Sequence, residues 1–230
     1  MTIINYKNKK SIIIILLYFI YFYIEKKYHY KLVAISYANN KFIKQLKINQ
    51  LTAINVGKVD EYYSYKFDDI DLNFLKSHKD ILSRPRGNGY WLWKPYFILK
   101  TFKEKLNKGD YLIYTDAGIF YLDKVEKIIK YMISINEDIW LNRLTYKEKK
   151  YSKRDAFILL DADSLIYTDT FQYMAGIQIF YILSVIPFYN RIVDEIIFAS
   201  SSKESCFSFL SSRNMIYSFL IYVIYWNFHF

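Results

Sequence analysis

The stretch NKGDYLIYTDAG, residues 107–118, decides the fold class: a glycine-containing turn feeds an apolar run that delivers a carboxylate. Residues 111–114, YLIY, are short and apolar, the pattern of a buried strand. Gly109 stands where a helix C-cap would, so a helix is expected to end at this turn. Asp116 then falls at the strand's carboxyl end, where open α/β sheets bind their ligands. The competing reading of Asp116-Ala117-Gly118 is an Asx-turn that only reverses the chain. Helices and strands in alternation around this stretch indicate an α/β domain.

Working outward, Pro95 suits the first turn of the preceding helix, and Phe97, Ile98, Thr101, Phe102 and Leu106 continue it at helical spacing. Before it, RPRGNG at 84–89 is a loop in which Pro85 fixes the backbone while Gly87 and Gly89 permit positive φ. Further back, KLVAISY at 31–37 predicts a first strand, closed by Asn39-Asn40. Phe42, Leu46, Ile48 and Leu51 then predict a helix. Residues 56–65 predict a second strand or its loop, and Ile70, Leu72, Leu75 and Ile81 predict one amphipathic helix over 68–82.

Downstream, residues 125–135 read as a helix and 138–144 as a strand. Ser152-Lys153-Arg154-Asp155 is placed to cap a helix through 157–160. QYMAGIQIF, 172–180, reads as a strand whose small centre, Ala175-Gly176, lets a ligand or backbone approach closely. Asp161-Ala162-Asp163 matches an oxygen-ligand pair for Mg2+ or Mn2+ by spacing, although a solvated turn is the plainer reading.

Composition sets the bounds. With 230 residues and 53% hydrophobic side chains the chain can bury a sizeable core, which excludes general disorder. The 25 Tyr and 18 Phe are spread so widely that no single aromatic residue is a functional signal. A net charge of +10, from 32 basic and 22 acidic residues, fits a polyanionic partner such as an anionic membrane face or a nucleoside diphosphate. Nucleic acid is not expected as a partner, because no binding motif accompanies the scattered lysines. Cys206 is the only cysteine, so an internal disulfide and a cysteine-based zinc site are both excluded. His29, His78 and His229 show no ligand spacing.

The first thirty residues carry an uninterrupted apolar run at 12–24, flanked by Lys7, Lys9, Lys10 and by Glu25-Lys26-Lys27. As a helix this run is about 20 Å long, short of the ~30 Å hydrocarbon core of a bilayer. An uncleaved signal-anchor and an element of the domain itself both remain open, so membrane association and a cytoplasmic location do too.

The motif GNGYWLWKPY at 87–96, with Ile98-Leu99-Lys100-Thr101, Asn107, Gly109-Asp110 and Tyr114-Thr115-Asp116-Ala117-Gly118, resembles a family of capsule- and glycan-type glycosyltransferases. Lys153-Arg154-Asp155-Ala156-Phe157, Gln172 and Ala175-Gly176-Ile177 extend the likeness, which runs from about Leu32 to Glu195. The resemblance implies a GT-A-like single domain over 31–195, with a mixed, mainly parallel central sheet flanked by helices. It implies sugar transfer from a nucleotide-sugar donor to a glycan, lipid-linked or protein acceptor. Outside those bounds lie the hydrophobic segment 1–30, the candidate signal-anchor, and an atypical hydrophobic, serine-rich tail at 196–230.

By the same resemblance Asp116 is the catalytic and metal-edge acid, with Mn2+ or Mg2+ as its cofactor. Arg86, Tyr90, Trp91, Trp93, Lys94 and Gly118 join it at the donor site: Lys94 or Arg86 as counter-charge for the diphosphate, and Tyr90, Trp91 or Trp93 as stacking faces. Lys153, Arg154, Asp155, Gln172, Ala175 and Gly176 are implied on the acceptor side or behind the site.

The sequence departs from the family in two places. The strand end carries one acid, Asp116, where many such enzymes carry a D-x-D pair. After Val193-Asp194-Glu195 no H-x-D-Q element follows; the chain becomes serine-rich and then almost uncharged over 215–230. A truncated or frame-shifted end and a second membrane-associating segment are both compatible with that composition. The alternative function is a catalytically degenerate, membrane-associated relative that keeps a nucleotide-sugar pocket.

Overall fold

The structure, a computed structural model, describes residues 14–17, 30–152, 154–159 and 162–182. Most of the N-terminal hydrophobic segment, Lys153, Asp161 and everything after Ile182, including the tail at 196–230, lie outside the described residues. Residues 14–17 are helical, with exposed side chains. Among the described residues no helix is long and apolar enough to cross a membrane.

Five strands form one sheet: β1 Leu32–Tyr37, β2 Glu61–Tyr65, β3 Tyr111–Thr115, β4 Ile139–Lys147 and β5 Phe171–Tyr181. Their spatial order is β2-β1-β3-β5-β4. β1 pairs in parallel with β2 and β3, while β5 runs antiparallel to both β3 and β4. Four strands therefore point one way and β5 the other, a mixed sheet of the α/β class with one reversed strand.

Every residue of β1 and β3 is buried, as expected for strands covered on both faces. The alternation of side chains sorts them into two cores. Val33, Ile35, Tyr37, Leu112 and Tyr114 face one, with Phe97, Ile98 and Phe102 of the helix α4, Trp93–Lys105. Leu32, Ala34, Tyr111 and Ile113 face the other, with Ile129 and Met132 of α5, Glu126–Ser134. Helices thus cover both sides of the sheet. Numbered in chain order, the remaining helices are α1 Ile43–Thr52, α2 Leu72–Ser77, α3 Lys79–Leu82, α6 Glu148–Tyr151, α7 Arg154–Leu159 and α8 Leu165–Thr168.

Three local expectations change. The single helix over 68–82 is split into α2 and α3 at His78, whose φ of −123° leaves the helical region. Asp71 begins α2 instead of lying inside a helix, because its carboxylate is drawn to Tyr96 Oη (2.6 Å) and Lys100 Nζ (2.8 Å) on α4. Gly109 is not the cap of α4, which ends at Lys105. With φ +97°, Gly109 belongs to the turn in which Asp110 N donates to Asn107 O at 3.1 Å. That turn aims Asp110 at the start of β1, where its Oδ1 accepts from Lys31 N at 3.0 Å. The second strand is limited to β2, because residues 53–57 continue α1 as a π-helical turn.

Candidate functional site

The order β2-β1-β3 creates a switch point. From β1 the chain crosses to β2 on one side and then returns to β3 on the other, so the segments leaving the two strands' carboxyl ends diverge. Such a divergence opens a crevice, which is where doubly wound sheets bind ligands. Here a cleft of about 480 Å3 occupies it. Tyr37, Ala38, Asn39, Lys41 and Phe42 line it from beyond β1; Asp116, Ala117 and Gly118 from beyond β3; Pro85, Gly87, Asn88, Trp91 and Trp93 from the loop leading into α4.

That loop is strained. Gly87, Asn88, Gly89, Tyr90 and Trp91 have consecutive φ values of 57°, 56°, 91°, 50° and 61°, one left-handed turn. For L-residues this conformation costs roughly 1–2 kcal/mol each, so Asn88, Tyr90 and Trp91 need compensation. Trp93 Nε1 donates to Gly87 O at 2.9 Å, and the Asn88 amide donates to Tyr37 Oη. Trp93 also stacks on Tyr37, with ring centroids 3.8 Å apart. A Cβ on Gly89 would lie 2.7 Å from Leu82 Cα, so only glycine fits there. Strain held by its surroundings at the wall of a cleft is the usual mark of a functional segment.

Asp116 sits where β3 ends. Its backbone N–H continues the ladder to Gly176 O at 2.8 Å. Its Oδ1 accepts from Lys94 Nζ at 3.0 Å and from Tyr114 Oη at 2.5 Å. Lys94 also reaches Ala175 O at 3.4 Å and lies 4.8 Å from the Tyr114 ring centroid. The Lys94 side chain is 11% exposed and that of Asp116 49%, so the pair has a buried cation and an accessible carboxylate. A Cβ on Gly176 would come within 3.2 Å of Asp116 Oδ2. The close approach expected at Ala175-Gly176 is therefore made by the Asp116 side chain.

The proposed site residues separate into groups. Asp116, Lys94, Ala175 and Gly176 are joined by direct contacts, and Trp91 and Gly118 line the same cleft. Trp93 is buried beneath it as part of the core, and Tyr90 packs against that core. Arg86 lies over the Trp91 ring, 6.0 Å from its centroid. Arg154 is engaged elsewhere, its Nε 3.0 Å from Asp163. Lys153 lies outside the described residues and the Asp155 side chain is not described.

Gln172 belongs to a second polar cluster, around Glu148. That carboxyl is fully buried, and burial pushes it up to about 7 against the opposing hydrogen bonds of Ser152 and Gln172. Ser152 Oγ donates to its Oε2 at 2.7 Å.

Sequence reasoning missed the β1 side of the cleft and the residue beneath its floor. Asn49, fully buried on α1, donates to Thr115 Oγ1 at 3.0 Å and Ile119 O at 2.6 Å, and accepts from Tyr62 Oη at 2.5 Å. It latches the loop that carries Asp116. The β1 side was recoverable, because parallel neighbours end at the same edge, and a site after β3 implies lining after β1.

A divalent cation fits this donor set poorly. Asp116 is the only acid lining the cleft among the described residues, and its Oδ1 already holds an ammonium and a phenol. Comparison with protein-family models, with curated proteins and with solved structures gives no match for the chain.

Proposed function

We propose that this chain is a nucleotide-sugar-dependent glycosyltransferase of GT-A-like architecture, transferring a sugar to a hydroxyl of a glycan, lipid-linked or protein acceptor. The observation that carries the reading is Asp116 at the sheet's switch point, opening on a cleft walled by the strained GNGYW turn. The exposed ring of Phe42 and the half-buried ring of Trp91 offer faces to a base or sugar. Asp116 Oδ2 is the carboxylate oxygen left to accept from a ligand hydroxyl. Transfer breaks the bond between the anomeric carbon and the phosphate oxygen and forms one to the acceptor oxygen. The acceptor proton passes to a base and the nucleoside diphosphate leaves.

A second reading, a degenerate relative that binds a donor without transferring its sugar, is favoured by one observation. The one acid of the described cleft is already ion-paired, which leaves no unpaired carboxylate there to take the acceptor proton.

The test incubates the full chain with a panel of nucleotide-sugars and measures nucleoside diphosphate release. Release from one nucleotide class, abolished in Asp116→Ala, is the expected result. Binding without release selects the degenerate relative, and neither binding nor release sinks both readings.

A further inference from the structure

We propose that the cleft takes its diphosphate ligand without a divalent cation, with Lys94 holding Asp116 in place and Lys41 supplying the charge that meets the phosphates. The inference rests on reading the cleft as a diphosphate site and goes beyond it in naming how the charge is met.

The Lys94 ammonium is fixed on several sides: Asp116 Oδ1 at 3.0 Å, Ala175 O at 3.4 Å and the face of Tyr114 at 4.8 Å. It comes from the first turn of α4, beside Pro95, and has little solvent to retreat into. A metal ion on the Asp116 carboxylate would sit against this positive charge. Expelling the ammonium instead would strip it at once of the carboxylate oxygen, the Ala175 carbonyl and the Tyr114 face, whereas an amide at position 116 keeps an oxygen for it to donate to. The carboxylate's other oxygen, Oδ2, rests near Gly176 and remains a hydrogen-bond acceptor. Lysine therefore stands where the resemblance places a metal.

Lys41 supplies what Lys94 cannot. It lies on the 3-10 turn Asn40–Phe42 just after β1, where the Asn39 side chain caps its backbone N–H at 3.1 Å. Its side chain is exposed on the cleft lining and makes no ion pair among the described residues. A compact ammonium on a flexible stem can follow a phosphate as a point charge.

Two measurements on the full chain test this. The first titrates Mn2+ into wild type and Asp116→Asn and follows the free-ion signal by electron paramagnetic resonance. The two proteins should leave the same free Mn2+. Stoichiometric uptake by wild type that Asp116→Asn loses overturns the proposal. The second follows thermal unfolding with inorganic pyrophosphate in EDTA, for wild type and Lys41→Gln, an exposed substitution that leaves the fold intact. Pyrophosphate should raise the wild-type Tm, and the rise should disappear in Lys41→Gln. A rise that requires Mn2+, an equal rise in Lys41→Gln, or no rise under either condition overturns it. Failure of the glycosyltransferase reading shows separately, as absence of donor cleavage while the pyrophosphate effect persists.

Discussion

Two carboxyl groups stand beyond the same edge of the sheet, Asp116 after β3 and Glu148 after β4, and they meet opposite surroundings. Asp116 is half exposed, opens on the cleft and has the Lys94 ammonium for a partner. Glu148 is fully buried, with the neutral side chains of Ser152 and Gln172 around it, and its carboxyl is raised to about 7. Both follow strands that run in the same direction, so topology alone does not separate a binding group from a structural one. Solvent access and the charge of the neighbour do. The parallel half of the sheet opens its acid onto the cleft, whereas the antiparallel half uses its acid as an internal hydrogen-bonding group.

The largest effect expected on the Asp116 side comes from beneath it. Asn49→Leu leaves Tyr62 Oη and Ile119 O without the partner they have at 2.5 and 2.6 Å. Buried Thr115 Oγ1 loses its bond to Asn49 as well, and at about 1–3 kcal/mol for each orphaned polar group a loss near 4 kcal/mol should appear in urea unfolding. A loss below about 1 kcal/mol would break the idea that Asn49 latches the Asp116 loop.

Glu148→Gln tests the other side. An unfolded glutamate titrates near 4.5 and the folded one near 7, so between these values the folded state holds more protons. The stability contributed by protonated Glu148 is complete below about 4.5 and is lost as pH rises through about 7. Wild type and Glu148→Gln should therefore match at pH 4, while the variant should be more stable by roughly 3 kcal/mol at pH 8. Equal stability at both pH values would erase the contrast between the two acids.

Gly89→Ala should cost about 2 kcal/mol, since the new methyl meets the Leu82 backbone at 2.7 Å and φ is +91°. Smallest of all, Asp116→Asn should change stability by no more than about 1 kcal/mol, because its ion pair is solvent-screened on the carboxylate side. That substitution should abolish ligand response while barely moving the unfolding midpoint. A site residue and a structural residue differ in this way, and Glu148→Gln should show the reverse pattern.

The sequence announces some of this and hides the rest for physical reasons. β1 and β3 were legible because strands buried in a sheet's interior form short continuous apolar runs, and β5 was legible from its apolar, β-branched 177–180 despite Gln172 and Gln178. Asp116 followed from its place after such a run, and Gly176 from a small residue inside an apolar strand. The left-handed turn was only half legible. Gly87 and Gly89 announce positive φ, but Tyr90 and Trp91 adopt it only because Trp93, Asn88 and Tyr37 hold the turn in place.

The start of α2 at Asp71 depends on its carboxylate meeting Tyr96 and Lys100, partners 25 and 29 residues away. Asn49 reaches Thr115 across 66 residues, from a helix whose apolar spacing gives no hint of a buried amide. Contacts at such separations leave no periodic trace. The burial of Glu148 was equally hidden, since Glu148-Lys149-Lys150 reads as surface charge.

The central claim is that Asp116 and its cleft bind a nucleotide-sugar. Its most direct test is thermal unfolding of wild type and Asp116→Asn against a panel of nucleoside diphosphates and nucleotide-sugars. At ~100-fold saturation a ligand bound only to the folded state adds about 2.7 kcal/mol, well above the cost expected for the substitution itself. The account predicts a raised Tm for wild type with one nucleotide class and none for Asp116→Asn. A rise of equal size in both proteins, or no rise with any donor in folded wild type, would contradict it.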